Sequence, residues 1–366
     1  MNKNRKLFLA GFDEESPLVM HCVSRVVDRQ FLLGDEERDT FIQMMRMYEK
    51  FCGIRILSYC VMSNHFHILL EIPPRIEAVE LGDEEFLAKL AAIYSDRYVQ
   101  EIRMLMKKLN KNQAPKAMRE LKEKYTYRMG DMSQFMKSLK QRFTQWYNKK
   151  HGRRGTLWEE RFSATAVSAG RTARMVAAYI DLNPMRAGIV KDPMDYRWCG
   201  YAEAVGGDPL AISAYSHLHE MVERKGVAVS KVSDEEVMQE YRILMAEEGQ
   251  ESDPDALPMT QGQRASKTFK RRRGYSREEI DAIIEQNGKL SKSQLLRCKT
   301  RYFSNGAVIG SKVFVDGFLK NLKSGSNPDR KMAAKPMRRI KWNGKVADGK
   351  IFSYRDLQKD VYGSEI

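Results

Sequence analysis

Two apolar runs, residues 54–61 and 66–72, are separated by little more than the polar turn Ser63-Asn64. Runs of that length, rich in strand-forming residues and joined by so short a link, define an antiparallel hairpin. The hairpin constrains everything else, because it fixes two neighbouring strands of a sheet around which the rest must pack. Side chains alternate across a strand, so His65 and His67 project from one face while Phe66 enters the opposite layer. Two imidazoles side by side can chelate a divalent metal. Each can equally be a hydrogen-bonded histidine on a half-buried face, and spacing alone leaves both readings open.

The neighbouring segments complete a pattern. Residues 18–25 read as a first strand, and the Gly34-Asp35 turn supplies the N-cap of a helix carrying Phe41, Ile42, Met45, Tyr48 and Phe51, closed by Gly53. After the hairpin comes a charged stretch, about 73–130, in which Phe86, Leu90, Tyr94, Tyr98 and Ile102 recur at four-residue steps along one helical stripe. It reads as a helical insertion. A helix then begins at Ser133, with Phe135, Met136, Leu139, Phe143, Trp146 and Tyr147 as its apolar side. A short strand at 163–167 and a helix at 171–182 follow. With the insertion set aside, the order β-α-β-β-α-β predicts an α+β fold with a ferredoxin-like (RRM-like) antiparallel sheet and helices on one face.

Beyond Tyr201 the pattern weakens. The acidic, proline-containing stretch 249–262 reads as a linker, so 206–262 is taken as a helical extension and linker. Residues 263–366 form a smaller, basic, mainly helical C-terminal domain, with a capping box at Ser276-Arg277-Glu278-Glu279 and helices at 291–303 and 311–322. A terminal hairpin is expected around Asn343-Gly344 or Asp348-Gly349. The short basic helices fit a DNA-binding helix-turn-helix or an ordinary helical subdomain.

Composition decides the class of partner. Hydrophobic residues make up 42% and charged residues 30% of the 366, with no apolar stretch of membrane-spanning length. The N-terminal apolar segment is too short for a secretory signal before Asp13 and Glu14 intervene. Cys22, Cys52, Cys60, Cys199 and Cys298 are odd in number and scattered, which fits a reducing compartment and argues against zinc-thiolate sites. A cytoplasmic, nucleoid-associated protein is expected. The net charge of +15 points to a polyanion, since each cation that meets a phosphate releases condensed counterions. Lys137, Lys140, Arg142, Lys149, Lys150, Arg153 and Arg154 gather on and after one helix, and Lys267 to Arg273 form a second cluster.

The helix at 171–182 runs into Tyr179-Ile180-Asp181-Leu182-Asn183-Pro184-Met185-Arg186-Ala187-Gly188. Tyr179 and Asn183 are four apart and point the same way, and Pro184 and Gly188 end the helix close to Asn183. On its own, Tyr179 reads as a core aromatic or as part of a metal site.

Taken together, Met62-Ser63-Asn64-His65-Phe66-His67, Gly155-Thr156-Leu157-Trp158-Glu159-Glu160-Arg161-Phe162 and the Tyr179–Gly188 run resemble the HUH single-tyrosine transposases. Within that superfamily the similarity is to the IS200-like, REP-associated tyrosine transposases, and Asp195-Tyr196-Arg197-Trp198-Cys199-Gly200-Tyr201 continues it. Three ordered motifs carry the resemblance across roughly 15–205, the expected catalytic domain. Ser63 stands where the family often has proline, and the insertion is longer than in minimal members.

The resemblance implies that His65 and His67 are metal ligands, Tyr179 the nucleophile and Asn183 the third ligand. Magnesium or manganese suits such nitrogen and oxygen donors. It further implies a metal-dependent single-stranded DNA endonuclease and strand transferase, acting at a hairpin or REP-like palindrome through a 5′-phosphotyrosine, as a monomer or a homodimer. Phosphate contacts are assigned to Lys137, Lys140, Lys149, Lys150, Arg153, Arg154 and Arg161, with Arg25 and Arg29 as further DNA-binding candidates; Trp158 is left out as a packing residue. The alternatives are a replication initiator or relaxase, a hydrolase using water, and a non-catalytic hairpin-binding protein or repressor on the same scaffold.

Overall fold

A computed structural model describes residues 17–73, 81–223, 232–248, 308–323, 334–336, 341–342, 345–346 and 352–354. Strand β1 is Leu18–Arg25, followed by a 3-10 turn at Val27–Arg29 and helix α1 at Asp35–Cys52. The hairpin forms as expected: β2 is Arg55–Val61 and β3 is His65–Ile72, paired antiparallel with a register irregularity between Ile56 and Ser58. The insertion folds into α2 (Asp83–Ala91), α3 (Asp96–Lys111) and α4 (Pro115–Thr126). Helix α5 (Met132–Lys150), strand β4 (Ser163–Val167) and helix α6 (Arg171–Asp181) complete the expected order.

The Gly34-Asp35 turn caps α1, Gly34 being the cap residue while the Asp35 carboxylate accepts from Arg38 at 2.6 Å. Two boundaries differ from the sequence reading, each for a local reason. The apolar stripe from Phe86 to Ile102 is split between two helices because Ser95 caps α3, its hydroxyl accepting from Tyr98 N. Helix α5 starts before Ser133, with Asp131 accepting from Ser133 N at 2.6 Å and Gln134 N at 3.0 Å.

The first four strands lie in the order β2-β3-β1-β4, all neighbours antiparallel, which is the ferredoxin-like arrangement. On one face Met20, Cys22, Ile56, Phe66, Ile68 and Leu70 are buried with α1 and α5. Phe66 packs at 4.6 Å from Phe41 and 5.4 Å from Trp158, ring centroid to ring centroid. Trp158 is fixed there, its indole N–H donating to Thr144 Oγ1 at 3.0 Å, so it is a packing residue. The other face is covered as well. Val19, Leu57, Leu69 and Val167 pack against Val176, Ala177 and Ile180 of α6 and against α8 (Gly200–Val205), α9 (Pro209–Glu223) and α10 (Asp234–Glu248). Between α6 and α8 lie α7 (Asn183–Arg186) and a 3-10 turn at Pro193–Asp195. Helices therefore sandwich the sheet, and the second layer holds the tyrosine helix.

The C-terminal residues add to this sheet. Strand β5 (Val308–Gly310) pairs parallel to β4, and β9 (Phe352–Tyr354) and β6 (Lys335–Pro336) extend the order to β2-β3-β1-β4-β5-β9-β6. Helix α11 (Lys312–Lys323) covers the segment expected to be helical at 311–322. Where a mainly helical unit is expected, the described residues thus combine strands with a helix. Strands β7 (Lys341–Trp342) and β8 (Lys345–Val346) pair antiparallel, and both expected turns, Asn343-Gly344 and Asp348-Gly349, lie outside the described residues. The linker at 249–262, the capping box at Ser276 and the helix at 291–303 lie outside the described residues.

Candidate functional site

Chain direction brings the site together. Strand β4 runs out to Val167, turns at Gly170 and returns as α6, so the end of α6 lies over the start of β4. Gly170 has φ +86°, and a Cβ there would meet Met221 O at 3.0 Å, so the turn requires glycine. Because neighbouring strands are antiparallel, the start of β4, the end of β1 and the start of β3 share one end of the sheet; Arg25 stands opposite His65. The turn at that end is pinned by Val26 N donating to Asn64 O and Leu33 N to Ser63 O.

His65 and His67 do share a face, with ring centroids 5.1 Å apart, and Tyr179 of the same chain lies over them, 5.9 Å from His67. Its ring is edge-on to that imidazole and 5% exposed. A third histidine belongs to the cluster. His21, fully buried on β1, places Nε2 2.9 Å from His67 Nδ1 and its ring 6.1 Å from Tyr179.

These contacts set the free atoms. His65 Nδ1 donates to Asn64 Oδ1 at 2.6 Å, which leaves Nε2 as the nitrogen with the lone pair. For His67 to present Nε2 likewise, its Nδ1 carries the proton and donates to His21. Partners of this kind orient metal-ligating histidines. Burial, with Arg25 nearby, pushes the His65 imidazole down to about 4. Burial acts on His67 in the same direction, followed by the neighbouring His65, His21, Arg186 and Arg25, and holds it well below the usual value of 6.5. Both are neutral near pH ~7, the form that ligates metals.

Asn183 opens α7 and donates its amide N–H to Tyr179 O at 3.0 Å and Ile180 O at 3.2 Å. Its Oδ1 is the remaining atom, a hard oxygen donor of the kind magnesium and manganese prefer. Among the described residues no group of three His, Cys, Asp or Glu side chains is placed to hold one ion. The donors that could hold an ion here are the His65 and His67 imidazoles and the Asn183 carboxamide oxygen.

Two further residues escaped the sequence reading. The Arg186 guanidinium lies over the Tyr179 ring, 4.6 Å from its centroid. Asp181, fully buried, accepts from Ser58 Oγ (3.1 Å), Tyr215 Oη (2.9 Å), Tyr241 Oη (2.6 Å) and Tyr201 N (3.4 Å). Burial lifts its carboxyl to about 7 against those four hydrogen bonds. It ties the tyrosine helix to β2, α8, α9 and α10.

The expected phosphate-contact surface divides. Lys137, Lys149, Arg154, Arg161 and Arg25 are exposed. The chain after Trp158 runs beside β1, Glu159 N donating to Arg25 O, and so brings Arg161 to the same end as the histidines. Arg29 closes the 3-10 turn that follows β1. Two lysines of this surface have partners within the protein. Lys140 is folded back onto the protein, donating to Glu160 O at 2.9 Å and lying over Trp158, and burial lowers it to about 8. Lys150 pairs with Glu36 at 2.6 Å and Glu37 at 2.8 Å. Arg153 is half-buried beside Tyr147.

Glu37 also receives His151 Nε2 at 3.0 Å. Burial raises its carboxyl, but the Lys150 and His151 hydrogen bonds outweigh it and hold the group below the ordinary 4.5. A carboxyl with a lowered folded value contributes stability above its unfolded value and loses it as pH falls through the folded one. Glu37→Gln is expected to lower the thermal midpoint near pH ~7, the gap from wild type closing as pH drops toward ~3. A pH-independent gap would contradict this account.

On one face of a ferredoxin-like sheet, the structure thus brings a histidine pair and the ring of Tyr179 together. The chain matches the family "Transposase IS200 like" over residues 15–114, which include β1, α1 and the hairpin with both histidines. Tyr179 and Asn183 lie beyond the matched segment. Among solved structures, the chain is similar to one described as a REP-associated tyrosine transposase bound to a REP hairpin, at 14% identity and TM-score 0.33, over 59% of this chain and 90% of that one. No curated protein matches. Among the described residues no helix is long and apolar enough to cross a membrane.

Proposed function

We propose that this chain is a divalent-metal-dependent single-stranded DNA endonuclease and strand transferase acting at hairpin or palindromic sites. The observation that carries the reading is the position of Tyr179, over His67 and four residues from Asn183 within one chain. His65 and His67 through Nε2, and Asn183 through Oδ1, would hold Mg²⁺ or Mn²⁺. Such an ion supplies positive charge to a phosphodiester as its negative charge grows in the transition state.

The Tyr179 oxygen forms a bond to phosphorus as the bond from phosphorus to the 3′-oxygen breaks. The phenolic proton passes to water and the 3′-oxygen takes up a proton, leaving a 5′-phosphotyrosyl link and a free 3′-hydroxyl. Another 3′-hydroxyl attacking that link reverses the step and joins strands, so no nucleotide cofactor is consumed. The single-chain placement of tyrosine and histidines favours action in cis, by a monomer or by each subunit of a homodimer. Arg25, Arg29, Lys137, Lys149, Arg153, Arg154 and Arg161 would track the DNA backbone.

The test is to incubate full-length protein with 5′- or 3′-end-labelled hairpin DNA bearing a single-stranded tail, drawn from palindromes flanking its gene. Mg²⁺, Mn²⁺ or EDTA is supplied and products are resolved on a denaturing protein gel. Label is expected to stay with the protein only when metal is present and only when it lies 3′ of the cut. Tight hairpin binding with intact DNA would move the reading to a non-catalytic binder, and cut DNA with no protein-linked label would move it to a hydrolase using water.

A further inference from the structure

Arg186 sits beside Tyr179. Its guanidinium covers the Tyr179 ring at 4.6 Å, and its positive charge is felt at His67. One guanidinium nitrogen, Nη1, is shielded from solvent yet has no hydrogen-bond partner. Among the described residues no carboxylate pairs with it, although Arg38, Arg46 and Arg242 each have one. A buried N–H without an acceptor costs free energy unless a ligand supplies one. The backbone here is fixed: Arg186 N donates to Leu182 O, Ala187 N to Asn183 O, and Pro184 and Met185 are buried. The guanidinium is therefore held beside the tyrosine by the same short helix that presents Asn183.

We propose that Arg186 is a phosphate-binding residue of this site, its guanidinium taking a non-bridging oxygen of the phosphodiester attacked by Tyr179. The inference rests on Tyr179 as nucleophile. Guanidinium geometry suits a phosphate, whose oxygens accept parallel N–H donors, and the π-stacked resting position keeps the charge close to the phenol until the anion enters. Lysine offers a point charge without the fork, so it replaces arginine only in part.

The test separates binding from chemistry. In a Tyr179→Phe background with EDTA, affinity for a fluorescein-labelled DNA hairpin with a single-stranded tail is measured by anisotropy across a salt series. Arg186→Gln is expected to weaken binding about tenfold and to reduce the salt slope by about one, with Arg186→Lys recovering the slope. Unchanged affinity and slope would overturn the proposal. So would weaker binding at an unchanged slope that lysine does not rescue, because stacking on Tyr179 alone would then explain Arg186. A second measurement needs no protein variant. Neutral methylphosphonates are placed one at a time along the tail, and the one at the cleaved linkage is expected to weaken wild-type binding about tenfold; no loss there would overturn the contact. Failure of the chemistry is distinguishable, since a reduced slope in Arg186→Gln with no adduct in the wild type keeps the phosphate contact and removes the nucleophile. Adducts forming at the wild-type rate in Arg186→Gln would do the reverse.

Discussion

Tyr179→Phe is expected to abolish every covalent protein–DNA species, with no detectable adduct under conditions that label the wild type, while hairpin affinity stays within about twofold. In the proposed reaction the loss is total, because the substitution removes the one oxygen that would form the new bond to phosphorus. Affinity is spared because the ring remains. The contacts that position it, edge-on to His21 and His67 and beneath Arg186, are made by the aromatic face and edge and survive in phenylalanine. Denaturing gels and anisotropy on one preparation check both halves. A surviving adduct would remove Tyr179 from the reaction and leave the sheet and its histidines to be explained otherwise.

Asp181→Ala is expected to give the largest loss of stability of any single polar substitution in the second helical layer, about 3 kcal/mol or more. The carboxylate is the shared acceptor for Ser58, Tyr201, Tyr215 and Tyr241. Alanine leaves two fully buried phenols and a buried serine hydroxyl without that acceptor, and each orphaned polar group carries its own desolvation cost. Denaturant unfolding followed by circular dichroism measures the effect. Asp181→Asn, which keeps one acceptor oxygen, is expected to lose less. Since Asp181 lies two residues from Tyr179 on the same helix, the alanine variant is also expected to slow adduct formation. A midpoint equal to wild type would mean the four donors find other partners.

Much of this site could be read from local pattern. His65 and His67 alternate in a strand that also shows its turn, and Tyr179 and Asn183 sit one helical turn apart before Pro184. His21 was not legible, although it lies between Val19 and Val23 in an equally clear strand. Its meaning depends on the register of β1 against β3, a contact across 46 residues that no local period encodes. Asp181 did leave a signal, a carboxylate among apolar residues at the end of a helix, which marks a buried polar hub. Lys140 and Lys150 look like solvated cations in sequence; their partners come from the segment after Trp158 and from the first turn of α1. Which groups a long side chain meets is settled by such distant neighbours. The second helical layer was missed because the ferredoxin-like order says nothing of what covers its other face.

The pairing of β5 with β4 has a practical meaning for anyone handling shortened forms of this protein. Without β5, the strand that leads into the tyrosine helix would become the rim of the sheet, with a row of backbone N–H and C=O groups turned outward. Ser168 N, which donates to Ile309 O, would lose its acceptor. A bare rim is a template on which another chain can add a strand. A fragment ending after the tyrosine helix would retain the histidines and Tyr179, and would gain a self-association surface that the longer chain keeps occupied.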